Sequence, residues 1–277
     1  MLEMIIKMYR VRDWIKTFGI CILALIVNKI FLNTALFFIA ILQSICLFSF
    51  LFIVDDFNDA LVERGKKSIV QIIEKKKISF QKIMILIFIP FLISFFISII
   101  FFSPIYFVIY LLFLFFAVAY SLPKIRMDDR PFFDVFFNII FFSLIFIQSV
   151  IFAGNSFSNV SFFLLVWFAL YIFSLELIHQ IAHFSFDSSS TAIFLGKKRT
   201  LLLIKLSFIL AIVTGVSFFL KFPDLRILAV IMTFFSITRL IYSIRFSEKT
   251  DFKKMRDKMG GLVEGILYLL IVLIQSF

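Results

Sequence analysis

Runs of about twenty apolar residues, broken by short polar stretches, recur along this chain. A segment such as "ALFFIAILQSICLFSFLFIV", residues 35–54, has no polar face to turn toward water. Hydrocarbon offers backbone N–H and C=O groups no partners but each other, so segments of this kind cross a bilayer as helices. The expected fold class is therefore all-α, a polytopic membrane protein. Composition agrees: 62% of the 277 residues are hydrophobic, only 16% are charged, and the mean hydropathy is +1.10. No soluble core needs that much apolar surface. The 44 phenylalanines suit helix faces turned to lipid.

Nine candidate spans follow, at about 17–34, 35–54, 82–102, 105–122, 132–152, 161–183, 200–220, 226–244 and 262–276. Together they make a single transmembrane domain over residues 1–277, opened by an amphipathic stretch, 1–16, expected along the membrane surface. Basic residues set the sidedness. Lys7, Arg10, Arg12 and Lys16, the run from Arg64 to Lys82, then Lys124, Arg126 and Arg130 fall on one side. Lys197 to Arg199 and Arg245 to Lys258 join them, while the other side has little beyond Lys29, Lys221 and Arg226. Positive loops stay cytoplasmic. The N-terminus is expected inside and the C-terminus outside, with cytoplasmic loops at 55–81, 121–131, 184–199 and 245–261. A bacterial inner (cytoplasmic) membrane fits this pattern. The net charge of +11 then reflects topology and anionic lipid, not nucleic acid. Cys21 and Cys46 stand singly in apolar runs and read as packed residues, not as a disulfide or metal site. The first residues lack an apolar h-region, so no cleavable signal peptide is expected.

Polar chemistry is expected where spans meet the cytoplasm. Span 2 ends in "FIVDDFNDALVERGKK", residues 52–67. Asp55, Asp59 and Glu63 are spaced i, i+4, i+8, and Asp56 lies three residues before Asp59, so four carboxylates share one helical sector. They repel one another, and the negative end of the helix dipole adds to the cost. A bound divalent cation relieves both penalties, and carboxylate oxygens are the ligands Mg²⁺ takes. A solvated acidic cap balanced by Arg64, Lys66 and Lys67 is the plainer alternative. Span 6 ends in "LELIHQIAHFSFDSSSTAIFLGKK", residues 175–198, with both histidines of the chain. His179, His183 and Asp187 again fall at i, i+4, i+8, beside Gln180, and polar groups this close to hydrocarbon tend to mark a site. Between the two lies "YSLPKIRMDDR", residues 120–130, where Tyr120 offers a hydroxyl and Lys124, Arg126 and Arg130 offer charge suited to phosphate.

Taken in order, these motifs resemble the UbiA superfamily of intramembrane prenyltransferases. "DDFNDALVE" is similar to its Asn/Asp-Asp-x-x-Asp-x-x-x-Asp motif after span 2, with Glu63 for the last Asp. "YSLP", residues 120–123, is similar to the Tyr-Ser-x-Pro of the loop after span 4. His179, Gln180, Asp187, Thr191 and Gly196 resemble the pattern after span 6, with His183 at the place of that motif's first Asp. Arg10, Trp14 and Lys16 resemble an N-terminal Arg-x-x-x-Trp-x-Lys. Asp128 stands where related sequences often carry a lysine.

The resemblance implies a nine-helix bundle and Mg²⁺-dependent transfer of a prenyl group from an isoprenoid diphosphate to an aromatic or other small acceptor. It implies Asp55, Asp56, Asp59, Glu63 and Asp187 as metal ligands, and Tyr120, Lys124, Arg126 and His183 in catalysis. Lys124 and Arg126 would help the departing diphosphate, and His183 would act as a base toward the acceptor. Arg10, Arg12, Lys16, Lys66, Lys67, Arg130, His179, Gln180 and Lys198 would bind substrate. A terpene cyclase folding one prenyl diphosphate on itself, or a non-catalytic lipid-binding relative, are alternative readings. A small transporter fits less well, because coupling sites usually lie near the bilayer midplane.

Overall fold

The structure, a computed structural model, describes residues 9, 19, 21–25, 28, 33–62, 79–101, 103–122, 127, 130–152, 157–184 and 189–245. Among them every regular element is helical. The helices are α1 (Thr34–Val62), α2 (Phe80–Ile100), α3 (Pro104–Ser121), α4 (Phe133–Ile151), α5 (Asn159–Ala182), α6 (Thr191–Lys221) and α7 (Arg226–Ile244), with a 3₁₀ turn, Pro223–Leu225, before α7. Six of them are long and apolar enough to cross a membrane, and Pro104–Tyr120 is a shorter apolar helix. The expected third to sixth spans and the eighth agree with α2–α5 and α7 to within about two residues. Of the first expected span, 17–34, residues 21–25 are helical and buried; the ninth, 262–276, lies outside the described residues.

Three boundaries depart from expectation. The loop placed at 55–81 starts later, because α1 continues without a break to Val62. Its 29 residues make a rod of about 43 Å, against a hydrocarbon core of about 30 Å. The rod is thus longer than a crossing needs by about nine residues, and the acids are at its C-terminal end. The loop placed at 184–199 is shorter too: a short helical stretch starts at Thr191, turns at Gly196, and leads into the long part of α6, which takes in Lys197, Lys198 and Arg199. Finally, α5 ends at Ala182 with His183 as its cap, where the His183 N–H returns to the carbonyls of His179 and Gln180. The described helix stops there, and Asp187, the third residue of the expected stripe, lies outside the described residues.

Local chemistry explains the helix starts. Ser79, Ser103 and Ser158 each sit in extended backbone, and each side chain accepts from the amide three residues on (Lys82, Tyr106 and Ser161). Pro104 follows Ser103 at the first helical position, where a missing N–H costs nothing. Pro90 is different, since it lies inside α2 and leaves the Leu86 carbonyl without its helical donor. The Tyr9 hydroxyl supplies that donor, at 2.9 Å.

Chain packing divides the described residues into two compact units, one drawn from those within 1–127 and 144–156, the other from those within 128–143 and 157–245. In the first, Gln43 of α1 donates to Ser98 of α2 at 3.0 Å, and Ser94 meets Tyr110 of α3 at 3.2 Å. In the second, α6 packs on both α5 and α7. Trp167 donates to Ser236 at 3.0 Å and Ser174 meets Ser207 at 2.6 Å. Small polar residues let these helices approach closely, as lipid-embedded packing requires. At Gly215 α6 and α7 come close: a Cβ there would lie 2.5 Å from Thr233 Oγ1. Outward faces carry large apolar side chains such as Phe88, Phe115, Leu210 and Phe234, the surface lipid would cover.

Candidate active site

In the first unit, α1 delivers the acids. Asp55 is half-buried, and Asp56, only 4% exposed, lies one turn beyond Phe52. A carboxylate so enclosed at a helix C-terminal end is costly unless something compensates it. Asn58 is buried next to it. The backbone at Asp59 is helical, which keeps it one turn on from Asp55 and Asp56. The side chain of Asp59, and Glu63, Lys66 and Lys67 altogether, lie outside the described residues, as do Arg10, Arg12, Lys16, Lys124 and Arg126. Tyr120 is half-buried on the last turn of α3. Among the described residues no three His, Cys, Asp or Glu side chains come together to hold a metal ion.

In the second unit the end of α5 meets the starts of α4 and α6. His179 and His183 are half-buried, with ring centroids 4.7 Å apart and planes inclined by 49°. This is the approach that spacing four residues apart on one helix face gives. Gln180, expected to bind substrate, is 4% exposed and spends its whole amide inside the protein. Its Nε2 donates to Asp134 Oδ2 at 2.9 Å and to Glu176 Oε1 at 3.3 Å, and its Oε1 accepts from the Ala192 N–H at 3.1 Å. Arg130 and Lys198 are exposed, on the turn before α4 and on the first stretch of α6, and Asp187 lies outside the described residues.

The partner of Gln180 is a residue that sequence reasoning passed over. Asp134, in the first turn of α4, is buried. Its Oδ2 accepts from Gln180 and from the Thr191 N–H (2.8 Å), and its Oδ1 accepts from the Val135 N–H (2.7 Å) and the Thr191 hydroxyl. The Thr191 hydroxyl in turn accepts from the Phe132 N–H at 2.6 Å. The available signal was an acid two residues into an otherwise apolar run, "FFDVFFNIIFF", where a charge is expensive unless paired. Gly196 has a local role of its own: at φ 76°, ψ 155° it kinks α6 just before Lys197, a conformation open in practice to glycine alone.

Residues 17–270 match the model of the UbiA prenyltransferase family. The chain belongs to this family. With six helices long enough to cross a bilayer, this UbiA family member is an integral, multi-pass membrane protein. Its fold is similar to a UbiA homologue from Archaeoglobus fulgidus solved with GPP and Mg²⁺, at a TM-score of 0.73 and 13% identity over 97% of this chain and 99% of that one. The same homologue with DMAPP and Mg²⁺ gives 0.72 and 13%, covering 98% of each chain. A structure described for digeranylgeranylglyceryl phosphate synthase gives 0.68 and 14%, over 99% and 96%. No curated protein matches the sequence significantly.

Proposed function

We propose that this UbiA family member is a Mg²⁺-dependent intramembrane prenyltransferase, moving a prenyl group from an isoprenoid diphosphate to an aromatic or other small acceptor at the cytoplasmic face. The observation that carries the reading is α1 itself. An unbroken helix carries Asp55, Asp56 and the Asp59 backbone together on its C-terminal turns, at the position of the family's first acidic motif. Structural relatives hold GPP or DMAPP with Mg²⁺. Hard carboxylate oxygens suit that ion, and Asp55, Asp56 and Asp59, with Glu63 and Asp187, are the residues that would hold it. When bound, Mg²⁺ supplies positive charge against the departing diphosphate.

The chain's own residues do the remaining work. Lys124 and Arg126 hold the diphosphate by charge-assisted hydrogen bonds, with Tyr120 donating from the end of α3. Arg10, Arg12, Lys16, Lys66, Lys67, Arg130 and Lys198 make that face attractive to an anionic head group. As the C–O bond breaks, the allylic carbon becomes electron-poor, and apolar helix faces keep water from it. The acceptor nucleophile bonds to that carbon and loses a proton to the half-buried His183 imidazole, with His179 beside it.

The test is transfer from a radiolabelled prenyl diphosphate in membranes carrying the full chain. Asp56→Ala and Asp59→Ala should each abolish Mg²⁺-dependent product formation. Wild-type turnover in either variant would remove the metal assignment. Mass spectrometry of lipids copurifying with the protein would identify the prenyl chain. The histidine at the place of a motif Asp favours one second reading, a non-catalytic relative that binds prenyl lipids. In that case labelled diphosphate yields no product even with the first motif intact.

A further inference from the structure

We propose that Asp134 is a positioning residue for this reaction, and that the position accepts only a carboxylate. The inference rests on the prenyltransfer reading above and concerns how the end of α5 is held. Three chain segments converge on Asp134: the turn entering α4 through Val135, the last turn of α5 through Gln180, and the first residue of α6 through Thr191. Fixing Gln180 fixes the helical turn it shares with His179 and the cap residue His183.

The polarity of the network leaves no freedom. The Ala192 N–H can only donate, so Gln180 must turn Oε1 toward it and Nε2 toward Asp134. The Phe132 N–H occupies the Thr191 oxygen, which sends the Thr191 proton to Asp134. At Asp134 itself one backbone N–H points at each oxygen, Val135 at Oδ1 and Thr191 at Oδ2. A carboxamide offers a single acceptor oxygen, so either orientation of an asparagine sets its NH₂ against one of those two amides. Backbone geometry shows how firmly the network holds the turn entering α4. Phe132 is held at φ 71°, an unfavourable region for a bulky residue, and its N–H is the one bonded to Thr191. The network overrides the local preference of the chain, as it does where surrounding structure fixes a functional geometry.

The chain contains two histidines, both in the turn concerned, so ¹⁵N-histidine labelling of the full-length protein in nanodiscs reports on that turn directly. Asp134→Asn is expected to move or broaden the imidazole signals of His179 and His183 at temperatures well below unfolding. It should also lower membrane turnover on the order of tenfold or more, the effect of one buried amide left without an acceptor. Adding Gln180→Glu, which reverses the polarity of one bond, should not restore either readout. Should Asp134→Asn fail to fold, Thr191→Val removes the hydroxyl's bonds to Asp134 and from the Phe132 N–H but keeps the Thr191 N–H on Asp134, and should shift the same signals less, while Thr191→Ser should leave them as in the wild type. Histidine spectra of Asp134→Asn superimposable on wild type would overturn the proposal whatever turnover does. Absence of turnover in the wild type would instead count against prenyl transfer and leave the spectral comparison intact.

Discussion

The bond between Tyr9 and Leu86 gives a quantitative test of how the first unit is tied together. Pro90 has no N–H, so the Leu86 carbonyl one turn earlier lacks its helical donor, and the Tyr9 hydroxyl takes that place at 2.9 Å. Burial holds the Tyr9 phenol above its ordinary pKa, so it stays a donor through mildly alkaline pH. Tyr9→Phe removes the donor and keeps the ring. A buried carbonyl stripped of its partner costs about 1–3 kcal/mol, and Leu86 is only half-buried, which points to the lower end, about 1 kcal/mol. Hydrogen bonds between membrane helices span a similar range, averaging about 0.6 kcal/mol with a maximum near 1.7. In a Pro90→Ala background the new N–H at position 90 serves the same carbonyl, and Tyr9→Phe should cost only a few tenths of a kcal/mol. The double-mutant cycle, measured by reversible unfolding in mixed detergent micelles, should show a coupling of about 0.5–1 kcal/mol. Equal losses in the two backgrounds would mean that Tyr9 does not serve the carbonyl that Pro90 frees.

Two further outcomes follow from the backbone and the buried amides. Gly196→Ala should destabilise by about 1–3 kcal/mol in thermal unfolding, because φ 76°, ψ 155° is closed to side chains. Nothing lies within 4 Å of the position a Cβ would take, so Gly196→Ser should cost about the same, and a clearly larger loss for serine would point to crowding instead. Gln148 is buried, with the Tyr106 hydroxyl as the one partner its amide meets among the described residues. Gln148→Leu should therefore change stability by no more than about 1 kcal/mol, and a larger loss would mean that the amide is held by more than that bond.

The spans were legible because lipid imposes one requirement on every crossing segment, about twenty apolar residues, and the boundaries missed are those where another force acts. Lys197, Lys198 and Arg199 look like a loop by charge, yet α6 has already begun at Thr191 and carries them, with Lys197 Nζ 5.1 Å from the centre of the Phe184 ring. The acids near the end of α1 stood out for a different reason: Asp55, Asp56 and Asp59, followed by Glu63, fall at helical spacing, where like charges repel. Asp134 gives the opposite case. A single acid near the start of a span reads as an ordinary interfacial charge, and its importance depends on two amides and a hydroxyl from α5 and α6 that no local pattern connects to it.

Gln180 shows why the same limit touches the site. By position it belongs to a substrate-binding motif, but the direction of an amide is set by its tertiary partners, and here Ala192 and Asp134 fix both ends. A side chain whose donors and acceptor are committed to the scaffold cannot also bind a diphosphate without breaking one of those bonds in a buried place. The histidines on either side of it keep their rings 4.7 Å apart and half-exposed. One turn of α5 thus pairs a residue that holds the turn in place with two histidines left half-exposed. Gln180→Leu and His183→Ala should consequently differ in kind: the first should disturb the histidine spectra, while the second should alter product formation with the Gln180–Asp134 bond intact.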